Sequence, residues 1–291
     1  MKDFNKLYKE IYINYSADLT KAKKEKSLKH IILCIMCISL MIAWMTGQNN
    51  IFGIVGIGFS IWLVISMIYQ QEKYKLIYRK TVIKMLIEFC SSQFKYNPVS
   101  GIPESIYKDA GFKESYNLYK SKGLAEGNIL ENCKTIMTKV HTKGIYSRNN
   151  TTVFNGIFAK VEMPKTLSFE LNICKNSEYL IQNEKQKLRM DYNEFEKIFD
   201  INTNNKIQAM RLLTLDVMQM LMDFVNENII MPEITLKENK IYARFYVGNM
   251  FEPKDLEDDM NYERLKEHYN TINAIFNLIE QFTRNVNEFD E

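Results

Sequence analysis

The sequence is poor in the residues that announce common chemistries. Its 291 residues include only three histidines, five cysteines and five prolines. The cysteines, Cys34, Cys37, Cys90, Cys133 and Cys174, are odd in number and scattered, so they outline no disulfide framework. Free thiols of this kind suit a reducing compartment. Cys34 and Cys37 have the spacing of a redox or zinc motif. They lie in an apolar run, where nothing polar would support a thiolate or a metal. His30, His141 and His268 are scattered and read as surface side chains, not as a zinc pair or an acid–base set. No phosphate-binding glycine loop, dinucleotide fingerprint or nucleophile elbow is present. Charge of one sign is lacking too: 38 Lys and Arg stand against 35 Asp and Glu, a net charge of +3. With no basic run interleaved with aromatics, that balance excludes nucleic acid as a partner.

Hydrophobic residues make up 46% of the chain, enough for one full domain and additional elements. They are concentrated near the N-terminus. Residues 31–44 read IILCIMCISLMIAW and residues 51–69 read IFGIVGIGFSIWLVISMIY, both without charge. A polar turn, 46–50, divides them. A bilayer core needs about 20 residues of helix, so the pair predicts a transmembrane hairpin over 31–69, with helices at about 31–46 and 51–69. Lys21, Lys23, Lys24, Lys26 and Lys29 precede it, and Lys73, Lys75, Arg79 and Lys80 follow it. Positive charge stays inside, which predicts a multi-pass protein of the inner (plasma) membrane with both termini cytoplasmic. The lipid bilayer is then one partner. Gly56 and Ser60 form a small-residue pair that lets helices approach closely.

Amphipathic helices flank the hairpin. Phe4, Leu7, Tyr8, Ile11, Tyr12 and Tyr15 mark one face of a helix within 1–30. Tyr74, Ile77, Tyr78, Thr81, Val82, Met85, Leu86 and Phe89 mark another within 70–97, which Pro98, Gly101 and Pro103 end. The two can pack as an antiparallel stalk. A third stripe, Tyr262, Leu265, Tyr269, Ile272, Phe276, Ile279 and Val286, repeats at heptad steps within 252–291, after an acidic linker. Ile275, Leu278 and Phe282 widen it, which favours packing within the chain over self-association.

Residues 98–251 read as a cytoplasmic domain. Thr166–Ile173 alternates as a half-buried strand, and Thr151–Val161 is rich in strand formers. Ile229–Leu236 and Lys240–Val247 form a hairpin around residues 237–239. Between them, Ile207, Met210, Leu213, Val217, Leu221 and Phe224 lay an apolar stripe along a helix that Asn202 or Asn204 can cap and residues 214–216 can divide. Met210, Met218, Met220 and Met222 read as core filling. The fold class is α+β, an antiparallel sheet with helices and a long C-terminal helix.

Two charged groups stand out. Asp191, Glu194, Glu196 and Asp200 can hold a metal, but they fit the cap of a helix start better. Lys134, Lys139, His141, Lys143 and Arg148 form a basic stretch, either facing anionic lipid headgroups or solvated along a strand edge.

Four segments resemble an uncharacterised bacterial family called domain of unknown function 3137. They are IYRKTVIKMLIEF at 77–89, VFNGIFAKVEMPK at 153–165, DYNEFEKIFDINTNNKIQAMRLLT at 191–214 and KIYARFYVGNMFEP at 240–253. The resemblance implies a membrane hairpin ahead of such a domain, with Phe154, Phe158, Phe195 and Phe199 as core anchors. It implies no activity, substrate or cofactor.

No catalytic, cofactor-binding or metal-ligating residue is predicted. The reading is a non-enzymatic, membrane-tethered module that recruits a protein or senses lipid, with homo-oligomerisation as a further option. The alternative is an enzyme of unrecognised type acting on a lipid or peptide at the inner face. A deep polar pocket favours the enzyme, and an open sheet edge or a flat apolar patch favours the module.

Overall fold

The computed structural model describes residues 4–45, 50–146, 149–176, 187–254 and 259–289. The chain divides into two compact units, residues 1–85 with 251–266, and residues 86–250 with 267–291.

The first unit is a helical hairpin. Helix α1 runs Phe4–Met45 and α2 runs Asn50–Tyr78, followed by a π-helical turn, Arg79–Ile83. Leu7, Ile11, Leu19, Tyr74, Tyr78 and Val82 are buried, so the two amphipathic stripes pack as expected. Tyr12 departs from its stripe and stays exposed. The π turn adds a residue to its helical circuit and brings Ile83 into the buried set. Asp259, fully buried, ties the unit together. It accepts from the Tyr74 hydroxyl at 2.9 Å and the Lys254 N–H at 2.8 Å, and it pairs with Arg264 at 3.2 Å.

The transmembrane expectation is corrected. Among the described residues, no helix is long and apolar enough to cross a membrane, so neither a transmembrane hairpin nor a multi-pass inner-membrane location is supported. The first apolar run, at 1.5 Å per residue, gives only about 21 Å of helix against the ~30 Å a bilayer requires. It also continues without a break from the lysine-bearing stretch of α1. In the second run, the side chains at 50–57 lie outside the described residues, Gly56 among them. Cys37 and His30 likewise lie outside the described side chains, while Cys34 is exposed.

The second unit is built on an antiparallel sheet. Its strands are β1 (Lys95–Asn97), β2 (Leu118–Leu130), β3 (Cys133–Tyr146), β4 (Asn149–Glu162), β5 (Leu171–Lys175), β6 (Lys187–Leu188), β7 (Phe199–Thr203), β8 (Pro232–Lys237) and β9 (Lys240–Phe245). Among the described residues their order is β1-β2-β3-β4-β9-β8-β5-β7-β6, every neighbouring pair antiparallel. The helices are α3 (Lys84–Cys90), α4 (Glu104–Asp109), α5 (Asn193–Ile198), α6 (Lys206–Leu212), α7 (Leu215–Asn228) and α8 (Tyr262–Glu288). The helix predicted over 70–97 ends at Cys90, because the chain turns into β1 before Pro98 is reached.

Alternation along the strands sends two sets of side chains to two faces. One face carries Ala159, Val161, Ile241, Ala243, Phe245, Ile234, Leu236, Ile173 and Ile201, all buried. Helical residues pack there. Phe224 of α7 meets Phe245, Phe195 of α5 meets Phe199, and Phe94 meets Phe276 of α8. The heptad stripe of α8 is spent on this intrachain packing, with Ile272, Phe276, Ile279, Thr283 and Val286 buried. The other face carries Ile102, Tyr107, Ala110, Val140, Phe154, Phe158 and Tyr242, closed by the segment around α4. The four phenylalanines picked out by the family resemblance are all core residues, none more than 2% exposed.

The split of the long helix falls where expected. Thr214 caps α7 by accepting the Val217 N–H, and α6 ends at Leu212. The cap of α6 is Asn205, which accepts the Gln208 N–H. Asn204 instead accepts from Glu170. The division also breaks the predicted stripe. A new helix starts a new phase, so α6 buries Ala209 and Leu212, and Ile207 stands 72% exposed.

Candidate functional site

Strand β9 carries one charged residue, Arg244, within its buried run Ile241–Phe245. Arg244 stands opposite Glu233 of β8 and opposite Phe158 of β4, on the face closed by α4. Its side chain is 5% exposed. A guanidinium in such a place needs partners for its donors. Nε and Nη2 both lie 2.6 Å from one Glu233 oxygen. Nη1 bonds the Glu114 carboxylate and donates to the Tyr107 hydroxyl at 3.1 Å. Glu114 also accepts from Tyr107 at 2.7 Å and from Thr142 at 3.4 Å. The guanidinium plane lies over Phe112 at 4.3 Å, with Phe154 and Tyr246 at 5.3 and 5.4 Å. Cation–π attraction of this kind strengthens where water is excluded.

The electrostatics follow from burial. Burial raises the Glu233 carboxyl above its ordinary value, and Arg244 opposes that rise. Burial works against the charged form of Arg244, but Glu233 and the surrounding groups outweigh it and hold the guanidinium firmly protonated. Burial pushes the Tyr107 hydroxyl up, out of reach as a base. Tyr246 is pushed up to about 12 by burial. The arrangement is therefore a clasp. It fastens the α4 segment to the sheet through Glu114 and Tyr107, and no nucleophile stands beside a general base in it. A second clasp links the same layers, Tyr242 donating to Asp109, which Lys240 faces at 3.5 Å. Beside the first clasp is a pocket of about 210 Å³ lined by Tyr107, Lys108, Phe112, Glu114, Ser115 and Tyr116.

Glu233 sets a pH dependence. A carboxyl held above its unfolded value binds more protons in the folded state. Its contribution to stability is full below the ordinary value of 4.5 and is lost as pH rises through the folded value. The stability of the protein minus that of Glu233→Gln is therefore expected to fall between pH 4 and pH 8. Urea unfolding at intervals across that range measures it, and a flat difference contradicts the assignment.

The sequence-predicted groups disperse. Glu194 and Glu196 lie in the first turn of α5, where Glu196 accepts the Met190 N–H at 2.5 Å, as a helix-start role requires. Asp200 is buried on β7 and pairs with Lys187 at 2.5 Å. Among the described residues, no group of three or more His, Cys, Asp or Glu side chains is placed to hold a metal ion. His268 is buried on α8, not a surface residue. Met218 and Met222 fill the core, while Met210 is exposed. Of the basic stretch, Lys139, His141 and Lys143 share one face of β3, Lys134 pairs across from Glu162, and Arg148 lies outside the described residues.

The register of β2 adds what the sequence reading missed. Lys120 stands opposite His141 and Lys122 opposite Lys139, so two further lysines join the same face. The only sequence signal was Lys120-Ser121-Lys122, an alternation that reads as a strand once β3 is placed beside it. Beside this face β4 is half covered. It pairs with β3 over its whole length, but with β9 only from Ile157 to Glu162. At Asn155 the chain after β9 makes a last contact, the Gly248 N–H donating to the Asn155 carbonyl at 2.9 Å. Among the described residues, no strand lines the outer side of 149–154.

These features define an α+β domain on an antiparallel sheet, with a buried ionic clasp and an open strand edge. Residues 152–284 match the model of the family described as a protein of unknown function, DUF3137. Of the four segments that carried the resemblance, those at 153–165, 191–214 and 240–253 fall within the match, and the one at 77–89 lies before it. No curated protein matches the sequence. Among solved structures, the chain is similar to the mycobacterial trehalose monomycolate transport factor A, TtfA, at 9% identity and a TM-score of 0.37. That similarity covers 68% of this chain and 95% of the other.

Proposed function

We propose that the sheet-bearing unit is a non-enzymatic interaction module that takes up an extended segment of a protein partner along β4. The observation that carries this is the mismatch between β4 and β9: fourteen residues of strand, only six of them covered by β9. A strand edge of this kind offers main-chain N–H and C=O groups to an added strand. Natural edges are commonly blunted by proline, by inward charge or by a bulge. Here Thr151, Thr152 and Val153 are uncharged strand formers, and the one irregularity is a bulge, the pairing with β3 stepping from Phe154 to Thr152 and skipping Val153. Tyr246, 41% exposed and 5.0 Å from Phe154, stands where the open stretch begins and provides an aromatic contact for an incoming chain.

The test is crosslinking in cells, purification, and hydrogen exchange on the recovered complex. A partner recovered near stoichiometry that slows exchange of the amides at 151–154 supports the module. A stoichiometric partner that leaves those amides unchanged, or protein recovered alone with a bound metabolite, overturns it.

A further inference from the structure

Resting on the strand-edge reading, we infer that the segment taken up beside β4 is acidic, an extended peptide carrying carboxylates at every second residue. The warrant is the pattern of charge beside the edge. Lys139, His141 and Lys143 stand at alternate positions of β3, and Lys120 and Lys122 face His141 and Lys139 from β2. The five side chains form a grid with a spacing of roughly 4.8 Å between strands and roughly 6.8 Å along each strand. Lys122 and Lys139 stand directly opposite each other, a like-charge placement that costs a sheet stability. Lys120 and Lys122 are exposed, and the three on β3 are half-buried.

The grid is aligned with the open edge. Lys143 is separated from it by Thr152, through the register of β3 on β4, and His141 lies just beyond its end, opposite Asn155, which the chain after β9 covers. Thr152 is short and polar. A strand added along 149–154 lies about two strand spacings, roughly 10 Å, from β3. The flexible stem of a lysine and the side chain of a glutamate together bridge that distance over a threonine. Burial first, then Lys143, Lys139 and Lys120, hold His141 below its ordinary value, so near neutral pH the lysines supply the positive charge.

The same features select against other anions. Stacking of nucleic-acid bases needs aromatic platforms. Tyr119, beside Lys120 on β2, lies on the opposite face and donates to the Ile102 carbonyl. A lipid headgroup offers charge but no main chain to pair with a strand edge. Only a polypeptide uses both the edge and the grid.

The test uses the full chain and three twelve-residue peptides of one length, alternating threonine with glutamate, glutamine or lysine. Binding is read by fluorescence anisotropy, and the site by hydrogen exchange at 149–154. The glutamate peptide is expected to bind at least tenfold more tightly than the others and to slow exchange at those amides. Lys120→Glu with Lys143→Glu is expected to abolish that preference without lowering the melting temperature, and Lys120→Gln with Lys143→Gln to reduce it in part. If the glutamine peptide binds and protects as well as the glutamate peptide, the edge reading stands and the acidic preference is overturned. If the glutamate peptide binds without protecting 149–154, both are overturned. Tighter binding to phosphatidylserine vesicles or to polyuridylate, lost in the same lysine variants, overturns the peptide assignment.

Discussion

Arg244→Met is expected to cost about 3–5 kcal/mol of unfolding free energy, the usual penalty for removing one partner of a buried ion pair. The loss does not come mainly from the missing attraction. It comes from the acids left behind, because Glu114 and Glu233 stay in a site only 5% and 12% exposed, with no cation to face. Glu233, already raised by burial, is expected to take up a proton and recover part of the loss. Glu114 retains Tyr107 and Thr142 as donors. This gives the experiment an internal control. Adding Glu114→Gln and Glu233→Gln to Arg244→Met removes both stranded acids, and the triple variant is expected to be more stable than the single one. Urea unfolding measures each. A single-variant loss under about 1 kcal/mol means that the clasp is incidental to the fold.

Gly156→Ala is expected to cost about 3 kcal/mol, at the upper end of what overpacking imposes. A Cβ at this position meets the Phe245 carbonyl oxygen at 1.9 Å, and that oxygen belongs to a neighbouring strand, not to a flexible side chain. Relief requires β9 to back away from β4. The damage should be directional. Amides of Ile157–Val161 should lose exchange protection first, since they lie in the β4–β9 ladder. Amides of β3 opposite β2 should hold until global unfolding. Uniform loss across the sheet contradicts the assignment.

The contrast between what the sequence disclosed and what it hid has a physical basis. Strand β4, the hairpin of β8 and β9, the capped break before α7 and the stripe of α8 were legible because their buried side chains recur at the period of their own element. The stripe over α6 misled because a period persists in sequence even when the helix does not. Ile207 and Met210 match the phase of α7, but the chain turns at Leu213. Strand β2 was hidden because its outward side chains are lysines and its bulge at Gly123, with φ +77°, interrupts the alternation. The ionic clasp was hidden for a different reason. Arg244, Glu233, Glu114 and Tyr107 are brought together from three separate stretches, and nothing local marks Glu114 as different from any surface glutamate. The apolar runs at 31–44 and 51–69 gave the strongest compositional signal, and it fixed two long helices without fixing what surrounds them.

The family match begins at residue 152, inside β4, whereas the sheet does not begin there. A fragment trimmed to 152–284 would lack β2 and β3 altogether. It would strip β4 of its inner neighbour, remove Val140 and the whole α4 layer from one core, and cost Arg244 its Glu114. Conserved-domain boundaries are the customary guide when truncations are cloned for crystallisation or binding assays. In this chain, a cut at that boundary would turn a central strand into a bare, sticky margin, and the resulting aggregates would say nothing about the intact protein.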